Sequence, residues 1–221
     1  MADADVVLVN GGINDVDIRF ILNPFTDKRQ LVHRTGRHCY GSLKVLLTRA
    51  LAAFPRARIV VTSYYPVLSE DSHVPFLSDF LATLGVPIDP AFRLLEQHMD
   101  RVTILRVVFT KVVRNCRIFH EESTAGIQRA VAETTGPDGR VRAALVPFTA
   151  TNAALASNPW LFGIHADLTV SPEDPMAAER HQACDLFETD IFQREGCYRA
   201  SAGHPNQRGA EAYADAILAA L

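Results

Sequence analysis

The stretch Asp5-Val6-Val7-Leu8-Val9-Asn10-Gly11-Gly12-Ile13-Asn14-Asp15 decides the fold. The apolar, β-branched run Asp5–Val9 ends directly at two glycines, which is typical of a strand buried inside a parallel sheet. The glycines let the backbone turn sharply, so we expect the Asn14 side chain to point into a cleft beyond the carboxyl end of the strand. Taken alone, Asn14 is more often a residue that caps the next turn of the chain.

The segments that follow alternate helix and strand. A polar segment, Asn23–Gly41, is predicted to be a loop, and an amphipathic pattern predicts a helix over Ser42–Phe54. The apolar run Arg58–Tyr64 predicts a second buried strand, and Arg142–Phe148 predicts a third. Strands separated by helices indicate an α/β fold with a parallel sheet.

The rest of the chain is predicted to be mainly helix and loop. In chain order we expect a helical region Asp89–Thr134 that breaks near Cys116–Ser123, a loop Thr149–Glu173, a short helix Pro175–Leu186 and a final helix Pro205–Leu221. The 221 residues suit a single α/β domain over residues 1–221. Three strands are few for this much helix, and a first strand that is apolar throughout is expected to have neighbours on both sides. We therefore expect the first strands of the sheet to be missing.

Composition excludes several classes of partner. The formal net charge is −3 and the basic residues are scattered along the chain, which argues against a nucleic-acid partner. No apolar run approaches the roughly 18 residues of a transmembrane segment, and the acidic first residues are not a signal peptide. The four cysteines form no CxxC pair, so a zinc site is not expected, and the sequence predicts no cofactor or other metal. Buried free thiols are the favoured interpretation, with Cys184 and Cys197 the best-spaced pair for a disulfide.

A second motif lies near the end of the chain, in Ser201-Ala202-Gly203-His204-Pro205-Asn206. A histidine at the entrance to a helix, next to a glycine that allows close approach, suits a general base. A lone histidine of this kind is more often structural, so a catalytic role for His204 is supported only when its motif is considered together with the Asn14 motif.

Together the two motifs resemble those of the SGNH/GDSL hydrolase family of esterases and lipases. The strand RIVVTSYYPVLS and the ending GHPNQRGAEAYADAI are also similar to that family. The resemblance implies a three-layer α/β/α, flavodoxin-like fold with a parallel sheet. It also implies acyl transfer from a small-molecule or lipid ester. His204 would be the general base, and Asn14 in the Gly12 block would stabilise the oxyanion.

The chain departs from the family pattern in two places. The nucleophilic Gly-Asp-Ser block lies upstream of Gly-x-Asn-Asp in the family, whereas no serine precedes Gly12 here. The three strands match the family's third to fifth strands, so we expect a chain truncated at its N-terminus relative to the family. The family's triad aspartate is replaced by Ser201, three residues before His204. Nearby carboxylates that could replace it are those of Asp185, Glu188 and Asp190.

Alternatives for the nucleophile and for the function stay open. Ser42 is better explained as a helix N-cap, and Cys39 approaches a strand end only if its loop folds back. His33 and His38 are expected in a solvated loop rather than at a metal. The chain is either a hydrolase, a catalytically inactive binding or interaction domain of the same fold, or an inactive fragment of a longer esterase. A fragment would expose an apolar sheet edge and self-associate through it.

Overall fold

The computed structural model describes residues 4–73, 77, 80, 81, 84, 86, 99–165, 167, 169–188 and 190–221. Contacts divide the chain into two compact units. The first unit comprises the described residues within Met1–Pro66, Val112–Phe148 and Glu211–Leu221, and the second comprises those within Val67–Lys111 and Thr149–Ala210.

A three-stranded parallel sheet lies at the centre of the first unit. Its strands are β1 (Val6–Val9), β2 (Arg58–Thr62) and β3 (Val141–Ala144), in the order β1-β2-β3. Val7 pairs with Ile59, which pairs in turn with Val141. The central strand β2 is buried from Ile59 to Thr62, as its run of β-branched residues predicts. A mixed α/β architecture with a parallel sheet is thus confirmed.

Strand β1 is an edge strand, so the prediction that it is buried is wrong. Among the described residues it pairs only with β2, and side chains alternate between the two faces of the sheet. Val6 and Leu8 share one face and are 40% and 56% exposed, whereas Val9 on the other face is buried. Self-association through this edge stays a prediction.

The segment predicted to be a loop, Asn23–Gly41, is largely helical. After the short helices α1 (Ile13–Val16) and α2 (Ile18–Leu22), a continuous helix runs through α3 (Lys28–Gly36), a π-helical segment (Arg37–Ser42) and α4 (Leu43–Ala53). The polar sequence is misleading because the buried side chains recur every four residues. These are Leu31, Thr35, Cys39, Leu43 and Leu47. Ser42 has helical dihedral angles and caps nothing, which corrects its N-cap assignment.

Helix α5 (Arg101–Thr134) is continuous, so the predicted break near Cys116–Ser123 is wrong. The start of the predicted helical region, residues 89–98, lies outside the described residues. Within the first unit, Gly126 permits close packing: a Cβ added there would lie 3.2 Å from the Cys39 carbonyl oxygen. Helix α5 therefore passes against the π-helical segment at a position where both backbones approach each other.

In the second unit, residues 149–173 are not one long loop. They contain a 3₁₀ turn (Ala150–Asn152) and a two-stranded antiparallel sheet of β4 (Gly163–Ile164) and β5 (Val170–Ser171). The fully or almost fully buried side chains that form the core of this unit include Leu68, Leu77, Phe80, Leu81, Ile104, Leu161, Ile164 and Ala202.

Two helices joined by a disulfide follow. Helix α6 (Ala177–Phe187) corresponds to the predicted short helix, and α7 (Ile191–Tyr198) was not predicted. Cys184 and Cys197, the best-spaced pair, are bonded, so the favoured interpretation as buried free thiols is wrong for these two residues, whereas it is confirmed for Cys39 and Cys116. At the tip of this hairpin Leu186, Phe187 and Ile191 are 73%, 81% and 66% exposed.

The last helix, α8 (Gln207–Ala220), begins two residues later than predicted. Asn206 precedes it, and its side-chain oxygen accepts a hydrogen bond from the Gly209 amide (3.2 Å), as an N-cap does. Gly209 lies so close to Trp160 that an added Cβ would be 2.2 Å from the Trp160 carbonyl oxygen. The Trp160 carbonyl oxygen also accepts a hydrogen bond from the Asn206 amide (2.9 Å), so the Trp160 backbone holds the start of α8 in place.

We expect Gly209→Ala to destabilise the protein by about 1–3 kcal/mol, because the added methyl group meets backbone rather than a flexible side chain. Gly196→Ala in α7 is the matched control, since nothing lies within 4 Å of its added Cβ. That substitution should be neutral or stabilise by up to about 1 kcal/mol. Urea unfolding measures both, and equal effects of the two substitutions would contradict the close approach.

Candidate functional site

The turn that carries Asn14 is fixed through its backbone. The Ile13 amide donates to the Tyr64 hydroxyl (3.2 Å), and Arg34 donates to the Asp15 carbonyl oxygen through Nη2 (3.1 Å). The Val16 amide donates to the Gly12 carbonyl oxygen at 2.9 Å. The Asn14 side chain is exposed, lies inside α1 rather than at a cap, and has no hydrogen bond among the described residues. The turn therefore presents a free amide beyond the carboxyl end of β1.

Gly12 makes this turn possible. Its φ is +128°, and a Cβ there would lie 3.0 Å from Cys39 Sγ. The chain thus brings Cys39 under the turn, close to the end of β1. This is the placement that Cys39 would need in order to act as a nucleophile. Burial, with a smaller contribution from the Asp15 carboxylate, raises the pKa of the Cys39 thiol to about 12. The thiol is protonated at neutral pH, so Cys39 is unsuited to attack an ester.

A histidine that the sequence interpretation missed lies in the same unit. His120 is half-buried, and its Nδ1–H donates to the Tyr64 carbonyl oxygen (3.0 Å), which leaves Nε2 as an acceptor. Burial lowers the pKa of His120, and the Tyr64 carbonyl offsets this only in part. An oriented, neutral imidazole is what a general base requires. No sequence motif surrounds His120, so only the fold identifies it.

The His204 loop lies in the second unit and is also pinned through its backbone. The His204 carbonyl oxygen accepts from the Phe162 amide (2.9 Å), and the Gly203 amide donates to the Phe162 carbonyl oxygen (2.8 Å). Gly203 has a φ of +78°, a conformation that suits glycine. The His204 side chain is exposed and has no hydrogen bond among the described residues, so the loop presents it to solvent.

Ser201 and His204 are joined through the backbone alone. The His204 amide donates to the Ser201 carbonyl oxygen (2.9 Å), whereas the Ser201 hydroxyl is buried beside the Asp174 carboxylate and makes no hydrogen bond to the His204 side chain. Ser201 therefore does not orient the His204 ring as a triad acid would. A buried hydroxyl is also poorly placed to attack a substrate.

The buried carboxylate near Ser201 is that of Asp174, which the sequence interpretation missed. Its side chain is 3% exposed and forms an ion pair with Arg180. Burial raises the pKa of Asp174, but the Arg180 guanidinium and the neighbouring Ser201 hydroxyl more than offset this, so the net pKa is lowered. Asp174 also lines a cavity of about 570 Å³ with His165, His181, Glu195, Tyr198 and Arg199. Asp174 lies between Pro172 and Pro175, directly after the predicted loop Thr149–Glu173, and this sequence context gives no signal of its role.

The three residues whose carboxylates could replace the triad acid form contacts within the α6–α7 hairpin. Asp185 accepts a hydrogen bond from the Tyr198 hydroxyl, and Asp190 accepts from the Gln193 amide (3.0 Å) at the start of α7. At Glu188 it is the carbonyl oxygen that accepts, from Arg194. These contacts give the three residues structural roles.

His33 and His38 lie on the helix rather than in a loop. With Asp15, Phe20, Gln30 and three arginines they line an open cavity of about 680 Å³ in the first unit. No group of three or more metal-binding side chains is found among the described residues. Within the same part of the chain, no helix has the length and apolar character needed to cross a bilayer.

Comparison of the chain with models of known families, with curated proteins and with solved structures finds no match. The chemistry of the two motifs therefore rests on the residues themselves and on the resemblance of their sequences.

We expect Asp174→Asn to destabilise the protein by about 3 kcal/mol at pH 7, because it leaves the Arg180 charge unpaired. The folded pKa of Asp174 is lowered, so its contribution is present above the unfolded pKa of about 3.9 and is lost as pH falls through the folded pKa. Urea unfolding at pH 7, 4 and 3 measures this. The difference in the free energy of unfolding between wild type and Asp174→Asn should become smaller as the pH falls.

The exposed Asp215→Asn is the control and should change the free energy of unfolding by less than about 0.5 kcal/mol at each pH. A loss for Asp174→Asn that stays constant from pH 7 to pH 3 would contradict the ion pair as its cause.

Proposed function

We propose that this chain is an SGNH/GDSL-type hydrolase domain with a three-layer α/β/α fold, which acts on carboxylic esters by serine acyl transfer. The observation that carries the proposal is the Asn14 turn: an unpaired, exposed amide on a backbone fixed by Tyr64 and Arg34, at the carboxyl edge of a parallel sheet. A donor that is already held in place stabilises an oxyanion without reorganising when the charge develops.

In the proposed reaction, His204 takes the proton from a serine hydroxyl while the serine oxygen bonds to the ester carbonyl carbon. The carbonyl oxygen becomes the oxyanion and accepts a hydrogen bond from the Asn14 amide. When the intermediate collapses, the alcohol leaves with the proton from His204, and water then hydrolyses the acyl-serine by the same steps. Gly12 contributes by holding the turn, since its carbonyl oxygen accepts from the Val16 amide.

The role of base has two candidates. His204 is supported by its exposed ring on a pinned loop, and by the Gly-His-Pro motif. His120 is supported by its fixed tautomer and by belonging to the same unit as Asn14. We propose His204 as the base, with Ser201 as the residue in the position of the triad acid, and treat His120 as the rival to be tested beside it.

A second candidate is a catalytically inactive binding domain of the same fold. It is favoured by the candidate nucleophiles, because the Ser201 hydroxyl is buried and the Cys39 thiol is protonated. An inactive domain would keep the Asn14 turn as a ligand contact. Among the described serines, Ser42 and Ser157 are exposed and are the first to consider if turnover is found.

We expect the purified chain to hydrolyse p-nitrophenyl acetate, with release of p-nitrophenolate as the readout. Asn14→Ala should lower kcat/KM by about 10²–10³-fold, because one oxyanion donor is lost. His204→Ala should lower it by about 10²–10⁴-fold, the range for a general base. A serine-directed fluorophosphonate followed by mass spectrometry identifies the nucleophile.

His73→Ala and Asn158→Ala are the matched controls, since both side chains are exposed and lie outside the two motifs. A loss with His120→Ala in place of His204→Ala would transfer the role of base to His120. Turnover that neither the Asn14 nor the His204 substitution lowers would refute the proposed site. A folded sample without turnover would favour the binding domain.

A further inference from the structure

The open cavity of the first unit is strongly basic. Arg29, His33 and Arg37 follow one another at intervals of four along the helix, and so do Gln30, Arg34 and His38. Intervals of four place side chains in rows on one helix face, so both rows line the same cavity. The described lining includes three guanidinium groups and one carboxylate, that of Asp15.

The helix that carries this face has no acidic residue. From Lys28 to Ala53 the sequence contains Lys28, Arg29, Arg34, Arg37, Lys44 and Arg49, but no aspartate or glutamate. Lys44 pairs with Glu133 from α5 at 2.6 Å, whereas neither Arg29 nor Arg37 forms an ion pair among the described residues. In a chain with a net charge of −3, this face therefore has a local excess of positive charge.

This charge distribution is unfavourable for the helix itself. Lys28 and Arg29 lie in the first turn of α3, where the helix dipole disfavours positive charge, and the N-cap carboxylate of Asp27, which accepts from the Gln30 amide (3.0 Å), offsets this in part. Arg34 and Arg37 are three residues apart, and like charges at this spacing repel by a few tenths of a kcal/mol. A bound anion would relieve both effects, because it would contribute the negative charge that the helix lacks.

Arg34 connects the basic face to the Asn14 turn. Its guanidinium donates to the Asp15 carbonyl oxygen and stacks over the Phe20 ring, 5.1 Å from the centroid. Because the Arg34 guanidinium already binds the turn, Arg29 and Arg37 are the arginines available to bind a ligand. Asp15, which lines the cavity, directly follows the candidate oxyanion donor Asn14 in the chain, and both belong to the first unit.

We infer that the basic face of Lys28–Ser42 binds the anionic group, a carboxylate or phosphate, of a substrate whose ester carbonyl lies at Asn14. The inference rests on the proposed function for the ester, while the anion site itself stands on the cavity and its unpaired arginines. Arginine suits both kinds of anion because its planar guanidinium donates two parallel hydrogen bonds.

The test is a titration of the ¹⁵N-labelled full chain with pentanoate, n-butyl phosphate and the uncharged isostere pentanamide, followed by NMR of the arginine Nε–H groups. We expect at least one of the two anions to bind at least about tenfold more tightly than pentanamide. Its affinity should fall as the salt concentration is raised. A preference between pentanoate and n-butyl phosphate identifies the anionic group.

The double variant Arg29→Gln/Arg37→Gln should lose at least about tenfold in affinity for the preferred anion. Arg49→Gln is the matched control, an exposed arginine of the same helix outside the cavity lining, and should bind as the wild type does. Equal affinity for anion and amide would overturn the inference. So would an unchanged double variant, or an equal loss in Arg49→Gln, which would indicate unspecific attraction.

The anion site and the hydrolase activity can be rejected independently of each other. Because these probes contain no ester, their binding needs no turnover. Anion binding without hydrolysis of p-nitrophenyl acetate would keep the anion site and reject the hydrolase. Hydrolysis that depends on Asn14 and His204, with no preference for the anions, would keep the hydrolase and reject the anion site.

Discussion

The hydrogen bond from the Ile13 amide to the Tyr64 hydroxyl is the interaction on which the first unit's candidate site depends. Tyr64 is itself held by the Phe119 ring, with centroids 5.5 Å apart, and by His120 at its carbonyl oxygen. The turn after β1 is thus tied to the residues after β2 and to α5. The Ile13 amide is part-buried, and a donor that loses its partner there costs up to about 1–3 kcal/mol, so this hydrogen bond holds the turn in place.

The helix from Lys28 to Ala53 serves two purposes on two faces. Its buried face supplies Leu31 and Leu47 to the core, and its π-helical segment places Cys39 under Gly12. Single-turn departures from α-helical geometry are frequent at functional sites because they redirect side chains. Here the redirected segment also contains Arg37 and His38, so the same stretch shapes the turn and lines the basic cavity.

The sequence predicts the sheet better than it predicts what surrounds it. Strand β2 is predictable because a short unbroken run of apolar, β-branched residues favours a strand that is buried on both faces of a sheet. The helix over Lys28–Ser42 is missed because its buried positions include Thr35 and Cys39, which weaken the apolar periodicity, while the basic residues on its exposed face are typical of a loop. Asp174 and His120 are missed for a different reason: burial and partners from distant segments give them their properties, and neither is visible locally.

The disulfide of the α6–α7 hairpin changes which of its residues natural selection must preserve. Because a covalent bond fastens the two helices, their attachment does not depend on the apolar side chains at the tip, Leu186, Phe187 and Ile191. Such positions can diversify between related proteins at little cost to folding. The tip of the hairpin is therefore a place where new surface properties can evolve at little cost to folding, as long as both cysteines are kept.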